Sequence, residues 1–195
     1  MLLCVPSRSP AASTSAEVMN VEFGRLEGKY PGFYIVREDG LRLTASQVTE
    51  DNVGRLRDAV KKIKSGWGEY VQGIDLNFEE ISRKQPFQPG DLGLFFMILA
   101  VEGEAVGLSN HDYFDEDGER RVTGGLVIAN QYRRRGYATL YLHLSSRIAK
   151  ENGAKAFIGL TRSRTLLRAR IAMGWKKTGE VRRFGGHLSR IEKRL

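Results

Sequence analysis

The residues in this chain best placed to do chemistry are Arg133-Arg134-Arg135-Gly136-Tyr137-Ala138. Arg121 to Ile128 (RVTGGLVI) reads as a strand before them, and Tyr137, Leu140, Tyr141, Leu144 and Ile148 read as one apolar face of a helix after them. A loop that turns into a helix leaves several backbone N–H groups unpaired, with the positive end of the helix dipole behind them. Such a terminus is a ready phosphate site. Gly136 lets a ligand approach the backbone without a Cβ in the way, Ala138 nearly so, and the arginines add charge. A pyrophosphate fits this description. There is no G-x-x-x-x-G-K-[ST] and no G-x-G-x-x-G after a strand, so neither a nucleoside triphosphatase loop nor a Rossmann site is expected. On composition alone the three arginines also read as a solvated basic corner.

The elements around this loop follow from turn residues and periodicity. FYIVRE and LRLTA, either side of Asp39-Gly40, read as a hairpin, because Asp-Gly tolerates positive φ. Thr49 is a candidate cap for a helix with Val53, Leu56, Val60 and Ile63 on one face, and Gly66 lies beyond it. A shorter amphipathic piece carries Leu76, Phe78 and Ile81 and ends before Pro86. Leu94–Val101 and Ala105–Tyr113, joined by Glu102-Gly103-Glu104, read as a hairpin of two long strands. Gly124-Gly125 in the next strand marks an expected bulge. After the helix that Gly153 closes, AKAFIGL reads as a buried strand, Ser163 as the cap of another helix and Gly174 as its stop. Strand, helix, strand makes a βαβ unit with a parallel pair, and His187–Leu195 reads as a final strand. Phe95, Phe96, Tyr141, Phe157 and Trp175 fall on inward positions and read as core.

The fold class expected is α/β (α+β): a mixed, mostly antiparallel sheet with a parallel central strand pair splayed at a bulge and helices on both faces. Residues 1–19, small and polar after an apolar start too short for a secretory signal, read as a disordered N-terminal tail. Residues 20–195 read as one domain.

Composition bounds the function. The longest apolar run, Leu92 to Val101, is about half the length a membrane helix needs, so no membrane association is expected. Cys4, the single cysteine, can build neither an internal disulfide nor a multi-cysteine metal site, which suits a reducing, cytoplasmic compartment; no metal is expected. The net charge of +8 is unevenly shared. Residues 1–118 hold 12 Lys/Arg against 19 Asp/Glu, and residues 119–195 hold 19 against 4, so the C-terminal part should attract anions.

The order strand VTGGLVIA, then Arg133-x-x-Gly136-x-Ala138, helix, strand AKAFIGL and a helix ending in Met173-Gly174-Trp175 resembles the GCN5-related N-acetyltransferase (GNAT) family. The likeness covers roughly Leu94 to Val181. It implies that Arg133, Arg134, Arg135, Gly136, Tyr137, Ala138 and Thr139 bind the pyrophosphate of acetyl-CoA. It also implies that Leu126, Val127 and Ile128 pair with its pantetheine arm, and that Gly124-Gly125 is the bulge admitting it. Two positions depart from the family pattern. Arg170 stands where the family usually has a tyrosine that protonates the leaving thiolate, and Ser163 stands where it usually has an asparagine. Arginine is a poor proton donor at neutral pH, although its charge suits a thiolate.

The implied activity is acetyl transfer from acetyl-CoA to a primary amine by direct attack in a ternary complex. No covalent enzyme intermediate is needed, in keeping with the absence of a Ser or Cys nucleophile motif. The base candidates are His111, Asp112 and Glu119, with His111 having the most suitable ordinary pKa. His143 lies off the apolar face of its helix, and His187 has no visible partner. The acceptor is an amine, either a small molecule or a protein lysine or N-terminus. Two alternatives stay open: a CoA-binding regulatory protein with weak or no turnover, which Arg170 motivates, and an RNA-directed protein acting on charged tRNA, which the basic C-terminal part motivates.

Overall fold

Asp39 and Gly40 turn the chain where β2 (Gly32–Arg37) meets β3 (Arg42–Gln47), with Gly40 at φ 85° and Arg37 N–H bonded to Leu41 O across the turn. The computed structural model describes residues 20–27, 32–67, 88–161, 164–183 and 186–195. The tail 1–19, the piece carrying Leu76, Phe78 and Ile81, and Ser163 lie outside them.

β1 (Val21–Leu26) pairs with β2 at the sheet edge. Asn52 organises the start of α1 (Val53–Trp67): its Oδ1 accepts from Thr49 N–H at 2.8 Å, and its Nδ2 donates to Gln47 O at 2.7 Å. β4 (Gly93–Val101), β5 (Glu104–Glu116) and β6 (Glu119–Ile128) form an antiparallel meander. A short 3-10 turn and the arginine loop lead into α2 (Tyr137–Glu151). β7 (Ala156–Thr161), α3 (Arg164–Ala172), β8 (Lys176–Arg183) and β9 (Gly186–Arg194) complete the chain. The described strands form one sheet in the order β1-β2-β3-β4-β5-β6-β7-β9-β8, antiparallel except for the β6–β7 pair.

Strand alternation sends side chains to two faces. On one, Leu56, Ala59, Val60 and Ile63 of α1 pack on Ile98, Leu108 and Val127. On the other, Leu140, Tyr141, Leu144 and Ile148 of α2 pack on Met97, Leu99, Val122 and Phe157. No helix among the described residues is long and apolar enough to cross a membrane.

β6 and β7 pair only from Arg121↔Ala156 to Thr123↔Ile158 and then part. The opening expected at Gly124-Gly125 is therefore present, but it is not a bulge in the ladder. β5 stays in register through both glycines, His111↔Gly124 and Asn110↔Gly125, without a shift. The gap arises because β7 turns away. Asn110 steadies the remaining edge, its Oδ1 accepting from Gly125 N–H at 3.1 Å.

Candidate cofactor cavity and active site

The parting strands leave a cavity of about 460 Å3 between β6, β7, the arginine loop, α2 and α3. Its mouth is the loop. Gly136 caps α2 in the left-handed conformation, φ 90°, which only glycine adopts without strain, and it brings no side chain to satisfy the helix terminus. A Cβ there would lie 2.9 Å from the Arg37 guanidinium. Arg133 N–H bonds Asn130 O, and the helix ladder begins with Leu140 N–H to Gly136 O. Among the described residues, the backbone N–H groups from Arg134 to Thr139 find no acceptor. Unpaired amides at the positive end of a 15-residue helix form an anion cradle.

Leu126, Ile128, Arg133, Arg134, Gly136, Ala138 and Thr139, all singled out in the sequence, line this cavity. Arg133 is anchored, with Nε donating to Ile128 O at 3.1 Å, and burial lowers its pKa. Val127 and Tyr137 point into the core, so they can contribute through their main chain only. Arg135 is exposed and sits over the Tyr132 ring, 5.8 Å from its centroid. Ala129 N–H bonds Val106 O on β5, so by the two-residue period the main-chain groups of Leu126 and Ile128 face the gap.

The three base candidates are not brought together. His111 is fully buried, between Phe95 and Phe157, with Nε2 3.2 Å from Tyr141 Oη and Nδ1 3.4 Å from Tyr113 Oη. Burial lowers its pKa to about 3, so it is neutral near pH 7 and closed off from an acceptor amine. This corrects the expectation of an accessible base: the alternation of β5 turns His111 toward α2. Glu119 lies at the far end of β6, hydrogen-bonded and ion-paired to Arg194, which lowers its pKa. That end of β6 is paired on both sides, away from the opening, so Glu119 too is displaced from the expected site. Asp112 is half-buried on the α1 side, beside Thr123, the last β6 residue before the parting.

Leu142, Leu160 and Leu166, which the sequence reading did not single out, line the same cavity as Arg170, Gly124 and Gly125. Arg170 is 7% exposed, its guanidinium 5.1 Å from the Trp175 ring centroid. Its Nε and Nη1 have no hydrogen-bond partner among the described residues, and burial lowers its pKa.

A model of the Acetyltransferase (GNAT) family matches residues 64–171. No curated protein sequence matches the chain. Among solved structures, the GNAT domain of S. lividans PAT is 16% identical with a TM-score of 0.61, covering 86% of this chain and 100% of that one. The aminoglycoside acetyltransferase AAC(6')-Ib in complex with coenzyme A is 15% identical, TM-score 0.58, covering 78% and 94%. An acetyl transferase from Salmonella typhimurium, described as modifying the N-terminal serine of ribosomal protein L7/L12, is 11% identical, TM-score 0.55, covering 78% and 95%. At these identities the likeness is one of fold.

Proposed function

The chain belongs to the acetyltransferase (GNAT) family, and from that premise we propose that it transfers an acetyl group from acetyl-CoA to a primary amine. The observation that carries this reading is the row of unpaired amides from Arg134 to Thr139, opening onto the gap between β6 and β7. The residues present fit the cosubstrate. The amides and the α2 dipole suit a diphosphate, and the β6 main-chain edge that faces the gap, at Leu126 and the Ile128 N–H, suits the amide groups of a pantetheine arm.

Acetyl-CoA supplies an activated acyl group: the lone pair of the neutral amine forms the N–C bond, the C–S bond breaks with its electrons on sulfur, and the nitrogen then loses one proton; an amine that arrives as a cation gives up a first proton to solvent before it attacks. The loop holds the nucleotide, the apolar wall of Leu142, Leu160 and Leu166 excludes water, and Asp112 accepts the amine proton from the α1 side. A carboxylate at that position also attracts a cationic amine, whether on a small molecule, a lysine or a protein N-terminus.

Gly136→Glu tests the site. It strains the positive-φ cap and places a carboxylate in the anion cradle, so acetyl-CoA affinity should fall by at least about 100-fold while circular dichroism stays native. Unchanged affinity in a folded variant would refute the reading. A second reading, coenzyme A binding with slow or no turnover, is favoured by one observation: the described residues lining the cavity include Arg170 and no carboxyl group. Tight CoA binding without thiol release across a panel of amines would support it.

A further inference from the structure

Arg170 is a buried cation that makes no ion pair among the described residues. It is 7% exposed, and neither Nε nor Nη1 has a partner among the described residues. An isolated buried charge is costly unless it is paired, and one face of Trp175 offsets only part of that. The fold makes room for it regardless. At Gly159 a Cβ would lie 2.3 Å from Arg170 Nη1, so any side chain there would expel the guanidinium. Gly159 directly follows Ile158, the last β7 residue paired to β6, so Arg170 reaches the point where the two strands part. It lines the same cavity as the phosphate loop, at the opposite end.

We infer that Arg170 is the counter-charge for the sulfur of coenzyme A, so that the leaving group departs as a thiolate and needs no acid. This rests on the acetyl-CoA reading above. With the diphosphate on the loop and the arm lying along β6 from Ile128 toward Gly124, the sulfur arrives where Arg170 stands. When the C–S bond breaks, its electron pair stays on sulfur as a full negative charge beside the guanidinium. The amine proton goes to Asp112 and on to solvent, so amide, thiolate and one proton account for every atom and charge. The arginine occupying the family's usual tyrosine position thus replaces proton donation with a fixed charge.

The other groups facing Arg170 do not titrate near neutrality. α2 presents Tyr141, whose pKa is raised by burial; β7 and β9 present Gly159 and Ile191; His111, behind Gly124, is neutral. Arg133, whose pKa is lowered by burial, and Arg134 share the cavity. A change in thiol ionisation in the complex is therefore readable.

The test is binding of free CoA and of acetyl-CoA by calorimetry between pH 7 and pH 9, with thiolate ultraviolet absorbance, for the wild type, Arg170→Met and Arg170→Lys. The wild type should bind CoA with its thiol pKa lowered by at least about one unit from an ordinary value of about 8.5, so that its preference for CoA over acetyl-CoA grows with pH and approaches about tenfold by pH 9. Arg170→Met should lose that preference while its acetyl-CoA affinity changes less than about threefold, and Arg170→Lys should restore part of it. If the wild type and Arg170→Met bind CoA alike at every pH, the role of Arg170 is overturned and the cofactor site stands. If the wild type binds neither nucleotide, the site itself is overturned and the inference falls with it. An Arg170-dependent preference for a carboxylated acyl-CoA over free CoA would overturn the thiolate assignment in favour of an acyl carboxylate.

Discussion

A titratable side chain is judged by what encloses it, and His111 and Asp112 are neighbours with opposite fates. His111, wedged among Phe95, Tyr113, Tyr141 and Phe157, is held neutral with a pKa of about 3 against an ordinary 6.5. Because the folded value lies below the unfolded one, the unfolded chain binds the extra proton between those limits. Stability should therefore fall as pH drops from about 6.5 toward 3, by at most about 1.4 kcal/mol per unit. His111→Gln keeps polar partners for both tyrosines but cannot ionise, so its unfolding free energy should be flatter in that window. An unchanged slope would show that the acid sensitivity lies elsewhere. Asp112, one residue on, faces the other side of the sheet. Asp112→Asn should lower kcat about 100-fold with little change in acetyl-CoA affinity, and an unaltered kcat would remove it from the mechanism. The sequence made His111 the more attractive base because its ordinary pKa suits the role. Its burial depends on ring contacts from β4, β7 and α2, which no local pattern reveals. Arg170 was legible as a departure from the family motif, but its isolation was not.

At the level of elements, turn chemistry and periodicity were informative wherever one face meets the core. The β2–β3 hairpin at Asp39-Gly40, the long β4–β5 pair, α2 with its buried Leu140, Leu144 and Ile148, and the parallel β6–β7 pair all stand as read. β8 was not legible. Lys176–Arg183 is an exposed edge strand to which the sequence reading assigned no element, and charged edges of this kind discourage pairing with other chains. β1, at the opposite edge, gave only weak alternation. The glycine pair in β6 was read as a bulge; its actual feature is the Asn110 side chain bonded to Gly125 N–H. Asn110→Ala removes that one bond, worth about 1 kcal/mol, and loosens the edge facing the cavity. We expect acetyl-CoA affinity to weaken about fivefold with only a small fall in melting temperature. Calorimetry alongside thermal unfolding checks this, and full affinity would mean that the strand edge is held by the ladder alone.

Across the whole molecule, charge and topology point the same way. The basic residues 119–195 supply the arginine loop, α2 and α3 around the cavity, while the acidic part of the chain contributes Asp112, paired with Thr123, the last β6 residue before the strands part. On the proposed function, this separation of charge would draw an anionic nucleotide and a cationic amine to different parts of one site. The reading depends on the loop before α2 grasping a diphosphate through its backbone. The most direct measurement is a crystal structure of the protein with coenzyme A. It should place diphosphate oxygens within about 3.2 Å of the amide nitrogens between Arg134 and Thr139, with the pantetheine arm along Leu126 and Ile128 toward Arg170. A nucleotide bound elsewhere, with those amides still without a phosphate, would contradict the account.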